Sequence, residues 1–199
     1  MSDHDPILKL CVYCGTNAGS STAYMHMASD LGAAMARRNI GLVYGGGRLG
    51  LMGAVADAVM GAGGHVTGVI PESLVRKELS HTGLTELEVA ESMHVRKARM
   101  AELSDGFIAL PGGFGTLEEV LEVLTWNQLG FIRKPVVILD VNDFYAPLFE
   151  MFDRVVSQEF MRPAHATLAQ RATNVDQALA LATAPAPVTV SKWIDSDQR

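Results

Sequence analysis

Residues 111 to 119, Pro-Gly-Gly-Phe-Gly-Thr-Leu-Glu-Glu, constrain this chain more than any other stretch. They follow the apolar run Gly106-Phe107-Ile108-Ala109-Leu110, which has the length and composition of a buried parallel strand. They lead into Leu117 to Leu124, which reads as the start of an amphipathic helix. A glycine-rich turn between strand and helix lets backbone N–H groups approach an anion, and the helix dipole adds partial positive charge there. Thr116 is placed to cap the helix and to offer a hydroxyl. A glycine pair alone need mean no more than tight turn geometry. Three glycines, a threonine and a carboxylate cluster together point to a phosphate site that also carries chemistry.

The order of elements extends this reading to the whole chain. Ile7 to Cys14 reads as a first strand, Thr22 to Arg38 as a helix, and Ile40 to Tyr44 as a second strand. Gly45 to Gly50 then opens a helix through Met60, and His65 to Ile70 is a third strand closed by Pro71. A short helix near Glu72 to Lys77 and a short strand near Leu87 are expected next. Helices follow at Met93 to Leu103, from the glycine turn to about Leu129, and at Tyr145 to Gln158. Strands are expected at Gly106 to Leu110 and Pro135 to Leu139. This alternation predicts an α/β fold: a single-domain, Rossmann-like parallel β-sheet with helices on both faces. Residues 1–6 and about 184–199 are expected to be peripheral tails. Three glycine-bearing loops, at Gly15 to Ser20, Gly45 to Gly50 and Gly112 to Thr116, fall at the carboxyl ends of strands, where such sheets bind ligands. Gly45, Gly47 and Gly50 have the GxGxxG spacing, which serves either close helix–strand packing or a nucleotide.

Composition bounds the partners. The 199 residues carry a net charge of −6, so no extended basic surface for nucleic acid is implied. No apolar run approaches the ~18 residues that span a bilayer. The acidic, polar Met1 to Pro6 is unlike a signal peptide, and a cytoplasmic location is the expectation. Cys11 and Cys14 spell CxxC but end a strand rather than begin a helix, so they read as structural cysteines and not as a redox or metal pair. No metal is expected, because His94 has no second histidine at ligand spacing. Arg96 and Arg99 lie one helical turn apart, roughly on one face, and serve either a solvated stripe or an anion. Glu118 suits the helix dipole, whereas Glu119 lies where it would face a bound sugar. Met25, Met27, Leu31 and Met35 suit a core or an interface equally.

Taken together these segments resemble the LONELY GUY family, the cytokinin riboside 5′-monophosphate phosphoribohydrolases. Pro111 to Glu119 is similar to the family's PGGxGTxxE motif, Met93-His94-Val95-Arg96-Lys97 to its MHxRK segment, and Tyr44 to Gly53 to its YGGGxxGLMG segment. The resemblance runs from about Leu10 to Trp193. It implies hydrolysis of the N-glycosidic bond of AMP or N6-prenylated AMP, giving free base and ribose 5-phosphate without a cofactor. It makes Arg96 and Glu119 the catalytic pair and gives the 5′-phosphate to Gly112, Gly113, Gly115 and Thr116. Glu78, Lys97 and Thr125 match further substrate positions, and Phe114, Leu117, Glu118, Gly45 and Gly46 complete the substrate-binding set. The resemblance also implies a homodimer, the usual state in the family, with larger assemblies in some members.

Members of the family have also been labelled lysine decarboxylases. That reaction needs a lysine in a Schiff-base setting. None of Lys9, Lys77, Lys97, Lys134 and Lys192 stands in one by sequence. A non-catalytic nucleotide sensor or carrier would use the same glycine loops. A dinucleotide oxidoreductase would want an acidic residue after the third strand, a place that Glu72 fills poorly behind Pro71.

Overall fold

In the computed structural model, which describes residues 7–75 and 80–187, the apolar runs become neighbours in one sheet. Its strands are β1 (Lys9–Tyr13), β2 (Gly41–Tyr44), β3 (Val66–Pro71), β4 (Glu86–Ala90), β5 (Gly106–Ala109), β6 (Val136–Leu139) and β7 (Ala169–Ala172). Every pairing is parallel, in the order β4-β3-β2-β1-β5-β6-β7. The helices are α1 (Thr22–Arg37), α2 (Gly50–Gly61), α3 (Glu72–Val75), α4 (Met93–Glu102), α5 (Phe114–Leu129), α6 (Ala146–Ser157), α7 (Pro163–Ala166) and α8 (Val175–Ala182).

Strand alternation divides the core into two layers. Leu10 and Val12 of β1 join Leu42, Tyr44, Ile108 and Val137 beneath α1, α2 and α8. Cys11 and Tyr13 join Val43, Phe107 and Ile138 beneath α4 and α5. The two cysteines therefore lie on opposite faces and both are free and buried. Burial pushes both thiols well above the ordinary cysteine value, with the Glu119 carboxylate adding to the effect. That suits the structural reading. Leu31 and Met35 are wholly buried in the α1–α2 layer, and Met25 and Met27 pack against it, so these four residues serve the core.

Several local signals set the element boundaries. Ser21 caps α1 by accepting the Ala23 N–H at 3.3 Å. Asn39 takes φ 56 in the turn to β2, a left-handed conformation that asparagine tolerates. The expected short helix closes its described part at Val75, and the rest of Glu72 to Lys77 lies outside the described residues. The reading by pattern omitted α7, β7 and α8. β7 is a four-residue edge strand, Ala-Gln-Arg-Ala, without the apolar run that marks a buried one. α8 did carry a signal: Asn174 caps it by accepting the Gln177 N–H at 2.9 Å, and Asp176 sits in its first turn.

α1 and α2 meet at Gly32, where an added Cβ would stand 2.4 Å from the Val55 carbonyl oxygen and 2.9 Å from the Ala58 methyl. Gly32→Val is expected to force the helices apart and cost about 1–3 kcal/mol. Thermal unfolding followed by circular dichroism checks this; an unchanged Tm would mean that the pair relaxes freely.

Candidate active site

The chain leaves β1 toward one face of the sheet and β5 toward the other, so a crevice opens between their carboxyl ends. The three glycine loops meet there through their backbones. The Gly15 N–H donates to the Pro111 carbonyl at 3.0 Å, and the Leu51 N–H donates to the Gly15 carbonyl at 3.1 Å. Such approach requires glycine. A Cβ on Gly50, whose φ is +57, would lie 2.4 Å from the Thr16 carbonyl carbon. The crevice holds a cavity of about 720 Å³.

One wall is the start of α5. The first intrahelical bond of that turn runs from the Leu117 N–H to the Gly113 carbonyl at 3.1 Å. The amides of Phe114, Gly115 and Thr116 come before it and need other partners. All three residues line the cavity, as do Gly112 and Gly113. Gly113, not Thr116, is the N-cap, and no side chain caps the helix. Thr116 instead sits buried in the first turn, packed so closely on Gly112 that a Cβ there would be 2.1 Å from its hydroxyl. The turn thus leaves its amides to a ligand, as an anion cradle does.

Beside the cradle stands a buried ion pair. Arg96, on α4, donates to the Glu119 carboxylate of α5 at 2.7 Å, and both side chains are nearly closed to solvent. Its Nε donates to the Val69 carbonyl at 3.0 Å and its Nη1 reaches the Met93 sulfur at 3.4 Å. Gly45 makes room for the guanidinium, since a Cβ there would fall 2.1 Å from Nη2. Burial raises the Glu119 pKa above the ordinary carboxylate value although Arg96 pulls the other way. Lys97 lies in the same wall, its ammonium held by Glu118 and by Glu122 at 3.1 Å. Burial works against that charge, but the two carboxylates outweigh it and leave the Lys97 pKa above the usual lysine value.

The structure brings together Arg96, Lys97, Gly112, Gly113, Phe114, Gly115, Thr116, Glu118, Glu119 and Gly45 around one cavity. Others in the expected set lie elsewhere. Gly46 turns away at φ +71, facing Ile70 and Leu87. Leu117 and Thr125 border a second, shallower groove along α5, where the Thr125 hydroxyl donates to the Leu121 carbonyl at 2.7 Å. Glu78 lies outside the described residues. Arg99 does not share the face of Arg96; it pairs with Glu88 at 2.7 Å and Glu102 at 2.9 Å on the exposed side. His94 is exposed, and among the described residues no cluster could hold a metal ion. Sequence reasoning missed the apolar walls. Ile70, Leu74, Met52 and Met93 line one end, and Tyr24 and Phe144 the other. These residues come from six separate elements and loops, so no local pattern announces them.

Fold and site together define a doubly wound α/β protein whose crevice joins a helix-terminal anion cradle to a buried arginine–glutamate pair. Comparison with known proteins bears on the family and the fold. The family model described as possible lysine decarboxylase matches residues 52–182. A probable cytokinin riboside 5′-monophosphate phosphoribohydrolase of Oryza sativa subsp. japonica is 49% identical over 156 residues, 78% of this chain and 64% of that protein. A cytokinin riboside 5′-monophosphate phosphoribohydrolase of Rhodococcoides fascians is 47% identical over 175 residues, 87% of this chain and 88% of the relative. Among solved structures, the molybdenum cofactor carrier protein of Chlamydomonas reinhardtii superposes with a TM-score of 0.67 at 26% identity, covering 88% of this chain and 95% of that one. The chain belongs to the LONELY GUY family of cytokinin riboside 5′-monophosphate phosphoribohydrolases, the group that the lysine decarboxylase model also describes.

The glycines of the cradle separate into two kinds. Gly112 is hemmed in by Thr116 and by the Gly15 nitrogen at 3.0 Å, whereas a Cβ on Gly113 or Gly115 meets nothing within 4 Å. Gly112→Ala is therefore expected to lower Tm, while Gly113→Ala and Gly115→Ala keep it and lose phosphate affinity because the methyl enters ligand space. Calorimetry with AMP, paired with thermal unfolding, checks both halves.

Proposed function

We propose that this protein hydrolyses the N-glycosidic bond of adenosine 5′-monophosphates, with or without an N6-prenyl group. The observation that carries this reading is the buried Arg96–Glu119 pair, 2.7 Å apart, opening into the cavity beside the amide cradle. The cradle, Gly112 to Thr116, takes the 5′-phosphate and fixes the sugar by a group remote from the reacting carbon. As the bond from C1′ to the base breaks, its electron pair leaves with the base and C1′ gains oxocarbenium character. Glu119 stabilises that charge and accepts a proton from the attacking water, whose oxygen bonds to C1′. The proton lost by water balances the one the departing base gains. Arg96 holds Glu119 in place and supports charge developing on the base. The names of the relatives support the same substrates.

Among the described residues, the lysines around the site do not suit pyridoxal phosphate chemistry. Lys97, the lysine that lines the cavity, is held as a cation by two carboxylates, opposite to the neutral amine that Schiff-base formation needs. Lys134 is tied to the carbonyls of Ala101 and Ser104 at 2.8 and 2.6 Å. A second reading, a nucleotide carrier without turnover, draws on the likeness to the molybdenum cofactor carrier. The proposal extends to a homodimer of one nucleotide-binding domain per chain in the cytoplasm. Among the described residues no helix is long and apolar enough to cross a membrane. The α5 groove, with Phe114 93% exposed and Leu121 43% exposed, is the face for a second copy. There Leu117 and Thr125 would serve the neighbour's cavity.

Incubation with AMP and with its N6-isopentenyl analogue, followed by chromatography, is expected to release free base and ribose 5-phosphate. Bound nucleotide that stays intact for hours would select the carrier. Glu119→Gln is expected to lower kcat by about 10²–10⁴-fold with the fold retained. Because the Glu119 pKa is raised, its carboxylate takes up a proton at a higher pH than usual. The kcat profile should therefore fall on acidification with a midpoint above the ordinary carboxylate value of 4.5. Leu121→Asp should convert the dimer to monomer in light scattering; a wild-type monomer would overturn that part.

A further inference from the structure

The expected site residues leave a second network unused, on the opposite side of β5 from Arg96. It begins on β7. Arg171 donates through Nε to Asp140 at 2.9 Å and through Nη2 to Asp143 at 2.8 Å. The Asp140 side chain is fully closed to solvent, and its other oxygen accepts the Tyr145 N–H at 2.8 Å. Tyr145 is itself 2% exposed, and its hydroxyl donates to the Leu110 carbonyl at 2.7 Å. Leu110 is the last residue before Pro111 and the glycine turn, and its N–H is already given to the Tyr13 carbonyl at 2.9 Å. Both polar groups of that peptide position are thus tied down within three residues of the cradle.

The loop that delivers Tyr145 turns through Asn142 and Asp143 at φ values of 54 and 56, left-handed conformations that asparagine and aspartate adopt readily. Arg171 on Asp143 and the Asp140 bond to Tyr145 fasten that loop. Phe144, between them, lines the cavity and meets the Tyr145 ring edge-on at 4.9 Å.

We infer that Tyr145 is a positioning residue for the reaction: its hydroxyl holds the Leu110 carbonyl and so sets the direction of the Gly112 to Thr116 amides. The inference rests on the reading of that turn as the phosphate cradle. Tyr145 is not among the residues that line the cavity. It acts by keeping orphan amides aimed at the ligand before the ligand arrives, which removes an ordering cost from binding. A hydroxyl that only filled the core would serve stability without this directional effect.

The test compares Tyr145→Phe, which keeps the ring, with Ser104→Ala. Ser104 is a second buried hydroxyl, donating to the Met100 carbonyl at 2.8 Å before β5 begins, away from the crevice. Amide hydrogen exchange without ligand is read at Gly15 and Leu117, whose amides donate to the Pro111 and Gly113 carbonyls of the turn, and ribose 5-phosphate affinity is read by calorimetry. In Tyr145→Phe, exchange at Gly15 and Leu117 should rise and affinity should fall, each by about threefold to tenfold, the worth of one buried hydrogen bond. The KM for AMP should rise by the same factor. Ser104→Ala should lower Tm comparably and leave all three unchanged. Equal exchange at Gly15 and Leu117 in wild type and Tyr145→Phe overturns the inference whether or not the protein is a hydrolase. A wild-type protein that binds no ribose 5-phosphate overturns the phosphate reading instead, and the exchange comparison still decides whether Tyr145 holds the turn.

Discussion

The hydrogen bond from the Gly15 amide to the Pro111 carbonyl, at 3.0 Å, joins the two halves of the sheet at the point where their connections diverge. The rest of the site depends on it. The same Gly15 offers its carbonyl to Leu51 in the first turn of α2, so one residue without a side chain fastens three loops into a common floor. A Cβ on Gly15 would stand 3.3 Å from both Gly112 and Pro111, tighter than side chains normally tolerate. Gly50 and Gly112 are hemmed in still more closely. The glycines here permit backbone to touch backbone, and the amides left over face the cavity.

Against that floor the buried ion pair is a costly element. Two charges removed from water repay their desolvation only where geometry and further hydrogen bonds are good. Arg96 meets this condition through three contacts: Glu119, the Val69 carbonyl and the Met93 sulfur. Glu119 is less well repaid, which is why burial still raises its pKa beside a guanidinium. A carboxylate whose pKa is raised by burial, with its partner fixed, suits proton transfer better than it suits stability. Lys97, bridging α4 to Glu118 and Glu122 of α5, holds the two helices that carry the pair.

Much of this was legible in the residues because it is local. Continuous apolar runs mark the buried strands from Leu10 to Leu139, and the change to helical period after each glycine loop marks the crossings. The glycine turn is read from one short segment whose chemistry does not depend on distant neighbours, and Arg96 and Glu119 from the family motifs that hold them. What was not legible is equally physical. Thr116 looks like an N-cap, yet the turn begins three residues earlier and the hydroxyl packs into it. Arg96 and Arg99 share a helix, but one meets the buried ends of β3 and α5 while the other meets Glu88 on an edge strand. The edge strand β7 escapes notice because its burial comes from one side only, so its residues need not be apolar.

The sequence by itself determined the fold class and the carboxyl-end placement of the glycine loops, because apolar runs, helical periodicity and backbone freedom act within a few residues. It singled out Arg96 and Glu119 as a pair only through the family motifs that hold them. Only the tertiary structure decided which expected residues share a cavity. Gly45 proves to be a seat for Arg96, Gly46 faces away, and Leu117 and Thr125 open onto a separate groove. The side on which a helix presents each residue, and what stands opposite it, depends on strand order and helix packing, which no single segment encodes.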